Sequence, residues 1–320
     1  MPAITSFAPA KLILFGEHSV VYDRPAIAIP FTGVHARAAI FAMPVAPSGQ
    51  VQIDAQAVQM DKTLDQLDPD DPIAITIHGV MDKFGISSLP AMHIRLTSTI
   101  PIAAGMGSSA AVSVALARAL STFLGHPLPD ADINDIAFKV EQQLHFTPSG
   151  VDNTVITYAR PVYFVRSQPL EFLHVRQPFD LIIADSGISA ATGPMVSGVR
   201  ERFNADPARY NALFDKISSI VLLARDCIEH GSAVDLGPLL IENHALLKGI
   251  GVSTPELDIL VEAAMTAGAL GAKLTGGGGG GNIIALAPED RMENIQNALL
   301  AAGAHQVWTA KVLPPQEPFR

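Results

Sequence analysis

Six consecutive glycines, Gly276 to Gly281, lie between Lys273-Leu-Thr275 and Asn282-Ile-Ile-Ala-Leu286, and no other feature limits the fold of this 320-residue chain so strongly. Backbone without Cβ atoms either floats as a linker or wraps around something that leaves no room for side chains. A linker belongs between polar segments. This run joins two apolar stretches that read as strands, so a tight, ligand-facing loop is expected.

A second glycine segment points the same way. Pro101-Ile-Ala-Ala-Gly-Met-Gly-Ser-Ser-Ala-Ala111 is a turn between an apolar strand and an apolar helix that runs to Gly125. Amides at a helix start have no intrahelical acceptor and carry about half a positive charge, which makes them an anion site. Ser108 and Ser109 fall in the first turn, where one hydroxyl could cap the helix and the other reach a metal or a phosphate oxygen. Alone, the segment also fits a plain glycine turn with a serine cap.

Two carboxylates follow. A helix predicted over 133–145, with Asp132 as its cap, places Ile133, Ile136, Ala137, Val140 and Leu144 on one face and Glu141 at the edge of that face. Asp152 comes eleven residues after Glu141, behind the Pro148-Ser-Gly150 turn, so the two could converge after a chain reversal. One could hold magnesium and the other accept a proton. Taken alone, they also fit solvated surface groups. Lys11 opens the apolar run Lys11-Leu-Ile-Leu-Phe15, and a buried ammonium needs a partner, unless it snorkels from a strand edge.

The remaining elements are read from periodicity and punctuation. Residues 11–15 and Val20 to Tyr22 read as a hairpin, and Ala26 to Pro30, Val34 to Phe41, Val51 to Ile53 and Met92 to Leu96 as strands, so the first third is mostly sheet. Leu181 to Ala184 is a strand, Ile217, Ile220, Ala224 and Cys227 form a helical stripe, and Pro255 opens a helix after Ser253 and Thr254. A boundary is placed at 177, giving domains 1–177 and 178–320.

Composition excludes several classes. Hydrophobic residues make up 48% and charged ones 16%, which is a folding composition. The net charge of −10 and the lack of a Lys/Arg cluster argue against nucleic acid and membrane surfaces. The long uncharged run from Leu96 to Ala117 contains Pro101, Gly105 and Gly107 and reads as strand, loop and buried helix. One cysteine, Cys227, and no signal-peptide pattern fit the cytoplasm. None of the ten histidines has the spacing of a zinc helix.

Taken together, these segments resemble the GHMP superfamily of small-molecule kinases, which includes galactokinase, homoserine kinase, mevalonate kinase and phosphomevalonate kinase. Ala8-Pro-Ala-Lys-Leu-Ile-Leu-Phe-Gly-Glu-His-Ser-Val-Val-Tyr22 with Pro25-Ala-Ile-Ala28 is more similar to the mevalonate kinase branch than to galactokinase. The loop 105–111, the Pro148-Ser-Gly-Val-Asp152 segment and Gly249-Ile-Gly-Val-Ser-Thr-Pro-Glu-Leu-Asp258 carry the likeness across nearly the whole chain. The resemblance implies an α+β fold of two domains, ribosomal-protein-S5-like at the N-terminus and ferredoxin-like at the C-terminus. It implies ATP and Mg2+, with mevalonate as the alcohol phosphorylated and a homodimer as a possible assembly. By that pattern Asp152 is the catalytic carboxylate and Lys11 its partner, while Ser109 and Glu141 hold the metal. Gly105, Met106, Gly107, Ser108, Ser109 and Ala110 hold the phosphates, and Glu17, His18, Ser149, Gly150, Thr192 and Gly277 lie near substrate or phosphate. Two departures, Ala190 where an arginine is common and Gly277 where an alanine is usual, bear on the carboxylate end of the substrate. The alternatives are another specificity of the superfamily (phosphomevalonate, a different hydroxyl of mevalonate, homoserine or galactose) and a non-catalytic metabolite sensor on the same scaffold.

Overall fold

The computed structural model describes residues 3–101, 104–144, 148–166, 168–189 and 192–314, and at Ala57 and Thr192 the backbone only. Ile102 and Ala103 of the segment 101–111, residue 145 at the end of the predicted helix, and Ala190 lie outside the described residues. The chain forms two compact units that interleave in sequence: Met1–Ala10, Val34–Pro101 and Gly107–Ala159 in the first, Lys11–Gly33, Ile102–Met106 and Arg160–Arg320 in the second. It passes between them several times, last at Ala159 and Arg160, rather than once at 177. Two strands are long enough to serve both units: β1 (Ile4–Phe15) and β2 (Ala26–Ala42), which pair with each other.

That pairing corrects the expected hairpin. The second arm of β1 is β2, and Val20 to Tyr22 lie in a 3-10 turn over Ser19–Tyr22. The two strands predicted over 26–41 are one continuous strand, because Pro30 and Gly33 are accommodated without ending it.

In the first unit β3 (Val51–Ala55) pairs antiparallel with β4 (Met60–Thr63), and a helix, α1 (Pro72–Phe84), leads on to β5 (Met92–Ser98). β5 lies parallel to β3 and antiparallel to β2, with Ala36 opposite Ser98 and Ala42 opposite Met92. Three further helices follow: α2 (Ser108–Phe123), α3 (Asp130–Leu144) and α4 (Val151–Tyr158). α1, α3 and α4 all pack on α2, whose Ala110, Ala111, Val114, Leu116 and Leu120 are fully buried.

The second unit adds β6 (Val162–Phe164), antiparallel to the start of β2, and the short β7 (Glu171–Phe172). Then come β8 (Phe179–Asp185), α5 (Thr192–Ala205), α6 (Pro207–Glu229), α7 (Leu236–Gly249), α8 (Pro255–Thr266), β9 (Gly271–Thr275), β10 (Asn282–Ala287), α9 (Met292–Ala301) and β11 (Gln306–Val312). The sheet order is β11-β8-β10-β9 with every neighbour antiparallel. Numbered along this part of the chain, that order is 4-1-3-2, the ferredoxin-like arrangement. β9 and β10 are buried at every position, which is why the sequence on both sides of the glycine run is apolar. No helix of the described residues is long and apolar enough to cross a membrane.

Candidate active site

Each unit carries its own set of predicted residues. In the first, α2 starts behind Gly107, which caps it in the left-handed region at φ 75°. No side-chain hydrogen bond caps this end, so the expected serine cap is absent and the first-turn amides, which an α-helix leaves without an intrahelical acceptor, have none from the cap residue. Ser109 Oγ instead donates to Glu141 Oε1 at 2.5 Å. Glu141 is 4% exposed on α3 and belongs to the buried face rather than its edge, because α3 turns that face toward α2. α3 itself begins at Asp130, so Asp132 lies in its first turn and is no cap.

Asp152 lies in the first turn of α4, half-buried, and not in a loop. Gly150 makes that start possible with φ 89°. Ser149 Oγ accepts from Val151 N at 3.3 Å, and Thr154 Oγ1 donates to Gly150 O at 2.6 Å. Asn153 Nδ2 donates to Asn134 Oδ1 at 2.7 Å, tying the turn that carries Asp152 to the helix that carries Glu141. Arg118 on α2 completes the frame, reaching Asp130 at 2.8 Å and the carbonyl of Thr157.

The second unit brings the two glycine segments together. Met106 O accepts from Lys11 N at 3.1 Å, and Ala104 O accepts from Asn282 Nδ2 at 2.7 Å. A Cβ on Gly276 would meet Gly105 O at 3.2 Å, so residues 104–106 lie directly against the glycine run. Gly276, Gly278, Gly279, Gly280 and Gly281 all have positive φ, whereas Gly277 does not. A Cβ on Gly278 would stand 2.1 Å from Val252 O, and Gly279 N donates to that same oxygen at 2.8 Å. The 249–258 segment thus cradles the run. It is held in turn by Asp258, which accepts from Ser253 Oγ at 2.6 Å, from His244 Nε2 at 3.1 Å and from Lys248 at 2.7 Å.

Lys11, 3% exposed, is enclosed rather than snorkelling. Glu17 is fully buried, its carboxylate occupied by Lys273 Nζ and by Asn243 Nδ2, which leaves no exposed surface for a substrate. His18 Nε2 lies 2.9 Å from Gly277 O; a carbonyl only accepts, so this nitrogen carries the proton. Burial holds the His18 pKa down at about 4, against a smaller upward pull from that hydrogen bond. Thr192 is the first residue of α5.

Lys273, Thr275, Asn243 and Asn282 were not singled out from the sequence. Lys273 had a signal, a lone charge in an otherwise uncharged strand segment, Gly271-Ala-Lys-Leu-Thr275. The asparagines had none, since their partners are distant in the chain.

A helix start free to hold an anion, beside a hydroxyl and a carboxylate able to hold a cation, is what handling a nucleoside triphosphate requires. Residues 73–160 match the GHMP kinases N terminal domain and residues 224–305 the GHMP kinases C terminal domain. The chain belongs to the GHMP kinase family and is an enzyme, a kinase.

Within that class its relatives are specific. The mevalonate kinase of Pyrococcus horikoshii is 34% identical, with 94% of this chain and 93% of that one covered. The mevalonate kinase of Pyrococcus abyssi is also 34% identical, over 96% and 95%. The crystal structure of L. major mevalonate kinase in complex with R-mevalonate matches at a TM-score of 0.81 and 30% identity, covering 97% of this chain and 96% of that one. The two-domain α+β fold expected from the motifs is the fold observed.

Proposed function

We propose that the protein transfers the terminal phosphoryl group of ATP to the primary hydroxyl of mevalonate, giving 5-phosphomevalonate and ADP. The observation that carries this reading is the 34% identity to a mevalonate kinase over 94% of the chain, a span that includes both glycine segments and both carboxylates. In this reading Asp152 takes the hydroxyl proton as the oxygen attacks the terminal phosphorus. A new O–P bond forms while the bond from that phosphorus to the bridging oxygen of ADP breaks, and ADP leaves with the electron pair. Lys11 steadies the negative charge growing on the attacking oxygen, and the amides of residues 105–110 face the phosphates.

Magnesium fits the donor set of the first unit. Two hard oxygens, Ser109 Oγ and Glu141 Oε1, stand side by side, and one of them is a buried carboxylate. Bound there, the ion supplies positive charge against the phosphate oxygens. His18, Ser149, Gly150, Thr192 and Gly277 border the substrate in this reading, with Glu17 acting from behind through its neighbours. The single cysteine suits work in the reducing cytoplasm.

The test is a coupled ADP-release assay over mevalonate, phosphomevalonate, homoserine and galactose, with phosphorus NMR of the product. Release with mevalonate and a phosphate ester on its primary carbon is expected. Release with a different alcohol, or an ester at another hydroxyl, would reassign the specificity, and no release with any of them would favour a metabolite sensor.

A further inference from the structure

Lys273 sits in the middle of β9 with no solvent exposure, and its ammonium donates to Glu17 Oε1. Asn243 Nδ2 approaches the other carboxylate oxygen at 3.4 Å. A fully buried ion pair gains little stability over an apolar pair of the same shape, so stability does not account for placing two charges here. Their surroundings offer another reason. Three ties run between the segment 11–18 and the segment 273–277. Thr275 Oγ1 accepts from Ile13 N at 3.1 Å and donates to Ile13 O at 2.9 Å. Glu17 is held by Lys273, and His18 by Gly277. The middle tie fixes a turn that needs fixing, because His18 has φ 60° and ψ −45°, a conformation costly for a residue with a Cβ.

We propose that Lys273 is a positioning residue for phosphoryl transfer: by holding Glu17 it fixes the turn that carries His18, and the strand end that carries Lys11, against the glycine run. Lys11 lies within electrostatic reach of the pair, its charge being one of those that favour the ionised form of Glu17. Burial drives Glu17 and Lys273 toward their neutral forms and the attraction between them opposes it, so removing one partner leaves the other buried without its match in the turn.

The inference rests on the kinase reading of the site, and its test separates the two. Lys273→Met and the double variant Glu17→Gln with Lys273→Met are compared with the parent enzyme by steady-state kinetics, thermal unfolding and hydrogen exchange without substrate. Lys273→Met is expected to lower kcat by about ten- to a hundredfold while KM for ATP stays within about threefold. Exchange at residues 11–22 should quicken while β10 stays protected. The double variant, having no lone buried charge, should recover the parent's unfolding midpoint but not its kcat, and it carries the test if the single variant does not fold. An unchanged kcat, unchanged exchange at 11–22, or recovery of kcat together with the midpoint would each overturn the positioning role. A parent enzyme that releases ADP with none of the alcohols would instead sink the kinase reading, and the exchange result would still report on the turn.

Discussion

His18 shows how one side chain links pH to the integrity of the site. Its folded pKa of about 4 lies below the ordinary histidine value of 6.5, so between those values the unfolded chain binds the extra proton and the folded one does not. Its contribution to stability is therefore complete above pH 6.5, shrinks as the pH falls, and is gone below about 4. The thermal midpoint should fall more steeply between pH 6.5 and 4 in the parent than in His18→Gln, whose amide can still donate to Gly277 O without titrating. Equal slopes would show that His18 is not linked to folding in this way. The proposed chemistry at the same scale gives Asp152, Ser109 and Glu141 roles that can be tested. Asp152→Ala should lower kcat by about two to four powers of ten with little change in binding of a non-hydrolysable ATP analogue. Ser109→Ala and Glu141→Ala should raise the magnesium concentration needed for half-maximal rate, and a titration matching the parent would remove those residues from the metal site.

The elements differ in how openly the sequence announces them. α2 and α8 are legible because their signals are local: an apolar run ending at Gly125, and Pro255 behind Thr254, whose Oγ1 accepts from Leu257 N at 3.4 Å. α1 falls in a stretch whose sequence reads as mostly sheet, although Asp71 accepts from Ile73 N at 2.8 Å, Pro72 opens the helix and Gly85 closes it at φ 63°. Those three residues were signal enough, and Ile73, Ile77 and Val80 supply the buried stripe. Asp71→Ala should cost about 1 kcal/mol of stability in chemical denaturation. The glycine run makes a sharper prediction. Gly278→Ala puts a Cβ into Val252 O at positive φ and should destabilise the protein by about 1–3 kcal/mol and weaken ATP. Gly277 has no positive φ to restrict it, and Gly277→Ala should cost less than Gly278→Ala in the same unfolding experiment.

At the scale of the whole molecule, a ligand that binds only the folded protein must stabilise it. An ATP analogue with magnesium at a hundred times its Kd should add about 2.7 kcal/mol, read as a raised thermal midpoint, and no shift would argue against nucleotide binding. The sequence by itself determined what is local: where backbone must be bare, where helices start and stop, which strands are buried on both faces, and the net charge of −10 that sets nucleic acid apart. It also made visible the residues to which the chemistry is assigned in the proposed function. Tertiary structure alone decided their partners. Ser109 meets a carboxylate 32 residues away, Ile13 a hydroxyl 262 away, and Glu17 an ammonium 256 away, its carboxylate ending in the core where a motif match had put it beside substrate. Local preference acts over a few residues, whereas the choice of partner for a buried charge follows from which strands pack side by side, and no short stretch of chain contains that choice.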